Sequence, residues 1–128
     1  MKVMNNSDIK NKLSSLAFDV TQKGGTEPAF SGIYNDLFDK GIYLCTCCNT
    51  ELFSSEHKFK SKSGWPSFFR PANENCLKYK EDISHNMIRV EVLCNSCDSH
   101  LGHVFDDGPE PTLKRYCINS VALKFEGK

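Results

Sequence analysis

Two short cysteine motifs carry the clearest chemical signal in this sequence. Cys45 and Cys48 are separated by two residues, and Cys94 and Cys97 repeat the same Cys-x-x-Cys spacing. Four thiolates arranged in two such pairs close a tetrahedral shell around Zn²⁺ and leave no open coordination position. A closed shell stabilises a fold rather than catalysing a reaction, so the motifs predict one structural zinc ion.

Cys47 lies inside the first motif, but only Cys45 and Cys48 give the two-residue spacing. The 45 residues between Cys48 and Cys94 exceed ordinary zinc-ribbon spacing, so a metal here joins distant strands. Two alternatives to a metal site stay open. In the first, the cysteines of both motifs are free buried thiols. In the second, one motif is a redox dithiol of thioredoxin type, although the βαβ unit typical of that motif is not apparent.

The seventh cysteine, Cys117, stands in a different setting from the other six. On a strand, alternate side chains share a face, so Arg115 and Asn119 share the face of Cys117. A nearby cation lowers the pKa of a thiol, and the thiolate is a nucleophile. Cys117 is therefore either a reactive thiol or a small buried hydrophobe. A single strand expected over Tyr116–Phe125 continues the same face with apolar residues: Val121, Leu123 and Phe125.

Two histidines and one tryptophan are the other candidate functional residues. His100 and His103 are three apart, which places them on opposite faces of a flat strand, but Gly102 allows a bulge that brings them together. Histidine donates and accepts protons near neutral pH. Either histidine is alternatively a structural hydrogen bonder beside the metal. Trp65, in an aromatic cluster that ends at Phe69, is either a core residue or an apolar wall for a small ligand group.

The elements that must position these residues are mostly short strands. Residues 7–23 predict one amphipathic helix, with Ser7 as its N-cap and Gly24-Gly25 at its end. The helical period then disappears, and no crossover helix for a parallel sheet follows. We therefore expect a mostly β, antiparallel domain with an N-terminal helix. Its expected strands are Gly41–Cys45, Glu51–Phe53, Ile88–Cys94, His103–Phe105 and Tyr116–Phe125.

Composition limits the possible function. The chain has 128 residues, which predicts one domain over residues 1–128, with residues 1–6 a flexible N-terminus. Its 16 basic and 16 acidic residues give no net charge, which argues against nucleic acid as a partner and against attachment to acidic membranes. The longest apolar run is Ile42–Cys45, too short to span a bilayer. With no secretory signal apparent, we expect a cytoplasmic protein whose cysteines are metal ligands or reactive thiols.

Taken together, these segments resemble the class B peptide methionine sulfoxide reductases. The resemblance runs from Asp19 to Phe125, and the shared order and spacing of its landmarks make it specific. Those landmarks are Thr21-Gln22, Gly25–Phe30, Gly41–Cys45, Gly64–Phe68, Cys94–Cys97, His100–Phe105 and Arg115–Ser120.

The resemblance implies two antiparallel sheets, a zinc ion away from the catalytic centre, and reduction of methionine-R-sulfoxide in proteins and peptides. By position it implies that Cys117 is the nucleophile and that Arg115 supports its thiolate. It implies that Trp65 forms the wall of a methyl pocket. The implied polar groups around the sulfoxide oxygen are His100, His103 and Asn119. The implied reductant is thioredoxin-like, and we expect a monomer.

One departure from the family pattern concerns recycling. Many members carry a resolving cysteine just before the Gly-Trp-Pro-Ser-Phe segment, where this chain has Ser63. A hydroxyl forms no disulfide, so another thiol must resolve the Cys117 sulfenic acid or an external reductant must attack it directly. The spare thiols are Cys76 and Cys47, and a position beside the predicted loop over 71–75 favours Cys76.

Overall fold

A computed structural model describes residues 14–84 and 86–128 of the chain. The described chain begins at the helix, α1 (Ser15–Lys23), and continues into nine strands. None of the helices in this part of the chain is long and apolar enough to cross a membrane. The predicted flexible residues 1–6 and the predicted N-cap Ser7 lie outside the described residues.

Helix α1 is shorter at its start than the sequence pattern predicts. Ser14 is extended, and its Oγ accepts a hydrogen bond from the Ala17 N–H at 3.1 Å, so Ser14 is the N-cap. The prediction of one continuous helix over 7–23 is therefore wrong, because a capping serine in extended conformation separates Ser15 from what precedes it. The predicted end is confirmed, since Gly24 caps the helix with a left-handed φ of 71°.

The strands form two antiparallel sheets, which confirms the predicted mostly β fold. The first sheet has the order β2-β1-β9, with β1 (Gly41–Cys45), β2 (Glu51–Ser54) and β9 (Leu123–Gly127). The second sheet has the order β3-β4-β8-β7-β6-β5. Its strands are β3 (Lys58–Phe59), β4 (Ser67–Phe68), β5 (Leu77–Ser84), β6 (Met87–Cys94), β7 (His100–Phe105) and β8 (Arg115–Ile118).

The single strand predicted over Tyr116–Phe125 is wrong. Strand β8 ends at Ile118, a 3₁₀ turn occupies Ser120–Ala122, and β9 begins at Leu123 in the other sheet. The turn carries the chain from one sheet to the other while Ser120 and Ala122 stay buried. The predicted continuation of the Cys117 face through Val121, Leu123 and Phe125 therefore does not exist.

Aromatic side chains from both sheets fill the core between them. Phe53 of the first sheet stacks on Phe68 of the second, with ring centroids 4.4 Å apart, and Tyr43 packs edge-on against Phe68 at 5.2 Å. All three side chains are fully buried. Aromatic pairs of this kind contribute about 0.5–1.5 kcal/mol each beyond their buried area.

A β-bulge in β7 changes which side chains face one another. Val92 pairs with Gly102 but Leu93 pairs with His100, so Leu101 is the extra residue. This confirms the predicted bulge beside Gly102, and it brings the two histidine rings onto one side with centroids 5.5 Å apart. The carbonyl of Leu101 accepts the backbone N–H and the side-chain amide N–H of Asn119, each at 2.9 Å.

The register aligns polar side chains across the second sheet. Cys117 of β8 lies opposite His103 of β7, and His103 lies opposite Glu91 of β6. Asp82 of β5 lies opposite Arg89 of β6, two residues along from Glu91. Because directly paired residues point to the same face of a sheet, these five side chains share one face, which we call the polar row.

Gly102 is required where β7 approaches β8, and its replacement tests the fold. A Cβ at position 102 would lie 2.0 Å from the Cys117 carbonyl oxygen. We expect Gly102→Ala to lower the free energy of unfolding by about 1–3 kcal/mol or more, measured by urea denaturation. Gly127→Ala is the matched control, since its nearest neighbour is an ordinary contact at 3.5 Å. Equal stability of the two variants would contradict this close packing.

Candidate functional site

The two Cys-x-x-Cys motifs fold into turns with the same backbone hydrogen bonds. The Cys45 N–H donates to the Thr50 carbonyl and the Asn49 N–H donates to the Cys45 carbonyl, both at 2.8 Å. The turn after Cys94 repeats this pattern, with the Ser99 carbonyl and the Asp98 N–H as partners. Asn49 and Asp98 have left-handed φ angles of 65° and 62°, which short polar side chains tolerate.

These turns bring four sulfur atoms together. The Sγ atoms of Cys45, Cys48, Cys94 and Cys97 all lie within 4.8 Å of one another. Two of the separations, Cys45 to Cys97 and Cys48 to Cys94, are 3.6 Å. Zinc–sulfur bonds of about 2.3 Å in a tetrahedron require sulfur atoms about 3.8 Å apart, so the donor set fits a zinc ion. Cys47 is buried but lies outside this cluster, where its Sγ accepts a hydrogen bond from Gln22 Nε2 at 3.5 Å.

The protonation of the cluster depends on its own hydrogen bonds. Hydrogen bonds with the neighbouring cysteines, Cys47 first, raise the pKa of Cys45. The hydrogen bond with Cys45 lowers the pKa of both Cys94 and Cys97. A lowered pKa favours the thiolate, which is the form of cysteine that binds a metal.

A second site lies on the six-stranded sheet, around Cys117. It is a cavity of about 90 Å³ that is more apolar than polar in its lining. A cavity of this size accommodates the end of one side chain rather than a large cofactor. The lining residues are Thr26, Trp65, Arg89, Gly102, His103, Phe105, Cys117 and Asn119.

Cys117 is half-buried in this cavity beside Ser63. Its Sγ lies 3.9 Å from the Ser63 Oγ. Burial raises the pKa of the Cys117 thiol, while the Ser63 hydrogen bond and the positive charge of Arg115 act in the opposite direction. The net effect is a raised pKa for Cys117, because burial outweighs the two opposing effects.

Arg115 is held in place by its own partners. Its Nε donates to Asp107 Oδ1 at 2.8 Å and its Nη2 donates to Asp107 Oδ2 at 3.1 Å. The guanidinium also lies 4.5 Å above the Phe105 ring. The hydrogen bonds with Asp107 raise the pKa of Arg115, which keeps a fixed positive charge two residues from Cys117.

A buried segment before the first sheet fixes Trp65 and Asn119. The Glu27 carbonyl accepts the Trp65 indole N–H at 3.0 Å, and the Glu27 N–H donates to Asn119 Oδ1 at 2.9 Å. Glu27 is 1% exposed, and its Oε1 accepts the Val121 N–H at 3.0 Å. Glu27 thus links two residues of the cavity, Trp65 and Asn119, to the 3₁₀ turn between the two sheets.

Each histidine is paired with a different carboxylate. His103 Nε2 lies 2.8 Å from Asp82 Oδ2, and His100 Nδ1 lies 2.7 Å from Glu91 Oε2. Burial lowers the pKa of His103 against the opposing effect of Asp82. His100 Nε2 is buried and has no hydrogen-bond partner within residues 14–84 and 86–128.

The structure brings the predicted site residues together in two separate groups. The four predicted metal ligands form one group. Among the predicted catalytic and substrate-binding residues, Cys117, His103, Asn119 and Trp65 line the cavity directly. Arg115 lies beside Cys117, and His100 packs behind His103.

Sequence reasoning missed several partners of these residues: Glu27, Asp82, Arg89, Glu91 and Asp107. Apolar and charged residues alternate from Ile88 to Val92, and this pattern places Arg89 and Glu91 on one face of the predicted strand. It does not show which side chains they contact. Asp82 lies in a charged stretch that resembled solvent-exposed chain, and its strand β5 was not predicted. The spare thiol Cys76 is buried just before β5, three strands from β8 in the sheet order.

Comparison with known proteins finds a matching family and close relatives. The family model of the SelR domain matches residues 13–127. A peptide methionine sulfoxide reductase MsrB from Thioalkalivibrio sulfidiphilus is 56% identical over 118 residues, which cover 92% of this chain and 86% of that protein. The protein of the same name from Acinetobacter baumannii is 49% identical over 117 residues, covering 91% of this chain and 84% of its own length.

Proposed function

The chain belongs to the SelR domain family, whose members include peptide methionine sulfoxide reductases, and on that premise we propose that Cys117 is its nucleophile. The chain is a peptide methionine sulfoxide reductase that acts on the R epimer. The observation that carries the proposed role is the cavity itself. Of the seven cysteines, only Cys117 lines it, together with an indole and an imidazole.

The chemistry requires a nucleophile and an acid at the same place. The Cys117 thiolate attacks the electrophilic sulfoxide sulfur, and a proton must reach the sulfoxide oxygen because that oxygen is a poor leaving group. The oxygen then passes to the Cys117 sulfur. The sulfoxide sulfur gains two electrons and becomes methionine, while Cys117 loses two and becomes a sulfenic acid.

The other cavity residues orient the substrate. The Trp65 ring offers an apolar surface for the methyl group, and its N–H is already bonded to Glu27, so the ring cannot turn away freely. Asn119 uses its Oδ1 and one N–H in structural hydrogen bonds and keeps a second N–H for the sulfoxide oxygen. The fixed cation of Arg115 supports the thiolate, and the histidine pair supplies the acid function through an imidazole that lines the cavity.

The activity is tested with a peptide that contains both sulfoxide epimers of methionine. We expect the R epimer alone to be consumed, as measured by chromatography of the products. Cys117→Ser is expected to lower kcat by a factor on the order of 10⁴ or more, because the hydroxyl is a far weaker nucleophile. Consumption of the S epimer alone, or full activity in Cys117→Ser, would contradict the proposal.

The two spare thiols are poorly placed to recycle the sulfenic acid. Cys47 is buried against Cys45 of the four-cysteine cluster and does not line the cavity of Cys117. Three strand spacings of about 4.8 Å separate the strand after Cys76 from that of Cys117, about 14 Å in all. A disulfide needs Cα atoms within about 7 Å, so Cys76 does not reach Cys117 in this fold, contrary to the preference that its neighbouring loop suggested. We therefore propose that a thioredoxin-like dithiol attacks Cys117 directly. The first thiol of the reductant condenses with the sulfenic acid, which forms a mixed disulfide with Cys117 and releases the oxygen as water. The second thiol then attacks this mixed disulfide, so the reductant leaves as a disulfide and Cys117 returns to a thiol.

A single-turnover experiment tests this step. With the R epimer and no reductant, the wild type is expected to stop at a Cys117 sulfenic acid, detected by mass spectrometry after labelling with a 1,3-dione. In Ser63→Cys, the new thiol replaces the hydroxyl 3.9 Å from Cys117 Sγ and is expected to form an intrachain disulfide instead. Cys76→Ser is the control and should match the wild type. A wild-type disulfide that contains Cys76 or Cys47 would refute direct reduction.

We propose that the four-cysteine cluster holds one structural zinc ion. The separations of the four sulfur atoms and their all-thiolate chemistry support zinc, since soft ligands in a tetrahedron select it. When bound, the ion cross-links the turn after β1 to the turn after β6. Cys45, Cys48, Cys94 and Cys97 fill all four positions, so the ion has a structural role.

Metal analysis of the purified protein tests the zinc site. We expect one zinc ion per chain in the wild type and in Cys47→Ser, and loss of the ion in Cys94→Ser. Loss of a closed zinc site removes several kcal/mol, so Cys94→Ser should lower Tm by roughly 10 °C or more. A metal-free wild type, or equal zinc content in Cys94→Ser and Cys47→Ser, would contradict the assignment.

We propose that the whole chain is one domain and acts as a cytoplasmic monomer. All seven cysteines are free, and the mechanism needs both a reducible Cys117 and metal-bound thiolates. A reducing compartment maintains both states.

A further inference from the structure

Two histidine–carboxylate pairs lie side by side next to Cys117, and the chemistry above requires only one proton donor. Resting on the proposed function, we propose that His103 is this donor and that Asp82 is its positioning residue. Asp82 holds the Nε2 proton of His103, so that Nδ1 is the nitrogen that delivers a proton to the sulfoxide oxygen.

The geometry separates the roles of the two histidines. His103 lines the cavity and lies directly opposite Cys117 in the β7–β8 register. The Cβ atoms of such a pair are about 4.5–5.5 Å apart, so a substrate sulfur at Cys117 lies close to the His103 ring. His100 does not line the cavity, and its ring packs edge-on against His103. His100 therefore supports His103 rather than reaching the substrate.

The hydrogen bond with Asp82 fixes the tautomer of His103. Hydrogen bonding to His103 lowers the pKa of Asp82, so Asp82 is an anion that accepts hydrogen bonds and donates none. At 2.8 Å from its Oδ2, Nε2 of His103 must carry a hydrogen. The neutral ring then has its lone pair on Nδ1, and a proton gained there is the one available for transfer. A carboxylate holds the catalytic imidazole of serine proteases in the same way.

Charges on every neighbouring strand act on this imidazole. Asp82 on β5 favours its charged form, whereas Arg89 on β6 and His100 on β7 disfavour it, as burial does. Glu91 on β6 is engaged by His100, and Cys117 and Arg115 face the site from β8. Arg89 also donates to Asp82 Oδ2 at 3.2 Å, which holds the carboxylate in position. Asp82 thus raises the pKa of His103, whereas burial, Arg89 and His100 lower it.

This balance decides how much enzyme is in the reactive form. Reaction needs a thiolate at Cys117 and an imidazolium at His103, yet burial raises the pKa of Cys117 and lowers that of His103. The doubly charged form is therefore a minor species at neutral pH. Asp82 stabilises the imidazolium and so enlarges that minor population. In the reaction, His103 loses its Nδ1 proton to the sulfoxide oxygen and returns to the neutral tautomer.

Asp82→Asn tests the proposal through the pH profile of kcat/KM and the ¹⁵N NMR titration of the histidines. Removal of the negative charge should lower the His103 pKa by about one unit, which moves the acid limb of the profile by about one pH unit to lower pH. The plateau value of kcat/KM should fall about tenfold, because the fraction of enzyme with both a Cys117 thiolate and a His103 imidazolium falls by the same factor. In the wild type, the neutral His103 ring should carry its proton on Nε2.

Three further variants distinguish a positioning role from a structural one. Asp82→Glu keeps the charge and should restore most of the wild-type profile. Asp106→Asn removes a surface carboxylate that pairs with Lys114 and should leave the profile unchanged. Glu91→Gln should alter the His100 signal and leave the His103 titration where it is. Urea unfolding confirms that each variant is folded.

The proposal is overturned if neutral His103 carries its proton on Nδ1, or if Asp82→Asn leaves the His103 titration and the acid limb in place. It is equally overturned if Glu91→Gln, and not Asp82→Asn, shifts the limb, because His100 is then the donor. A wild type that reduces no sulfoxide would refute the proposed function instead. The NMR tautomer and titration would still report on the Asp82–His103 pair in that case.

Discussion

The close approach of β7 to β8 is the constraint on which the site depends. Gly102 lies against the Cys117 carbonyl with no room for a side chain, and the adjacent bulge at Leu101 turns His100 to the same side as His103. Asn119 then caps the bulge by donating twice to the Leu101 carbonyl. The Cys117 thiol, the two imidazoles and the Asn119 amide are thus held by one local irregularity in an otherwise regular sheet.

The molecule separates stability from chemistry by giving its cysteines different surroundings. Four sulfurs meet where the end of β1 in one sheet lies near the end of β6 in the other, and two matching turns hold them together. Cys117 lies on β8, within a cavity that none of these four residues lines. Of the three remaining cysteines, Cys47 and Cys76 are buried, and only Cys117 lines the cavity.

The predictable features were those that local spacing determines. The two Cys-x-x-Cys motifs that meet in one cluster, the helix end at Gly24 and the bulge beside Gly102 all follow from residue types a few positions apart. The change of sheet after Ile118 did not follow, because the buried 3₁₀ turn at Ser120–Ala122 has the composition of a strand. Asp82 and Glu27 were missed for a related reason: a carboxylate in a sequence looks solvated until tertiary packing supplies its hydrogen-bond donors.

The polar row has a consequence for how the site is gained or lost. It spans four neighbouring strands of one sheet, and side chains alternate between faces with a period of two residues. A shift of one residue in the pairing of β7 with β8 would point the His103 imidazole away from the Cys117 sulfur. Asp82, the hydrogen-bond partner of His103, would then also be separated from Cys117. The polar row therefore forms only when the strands are correctly aligned, so the site and the sheet arise in the same folding event.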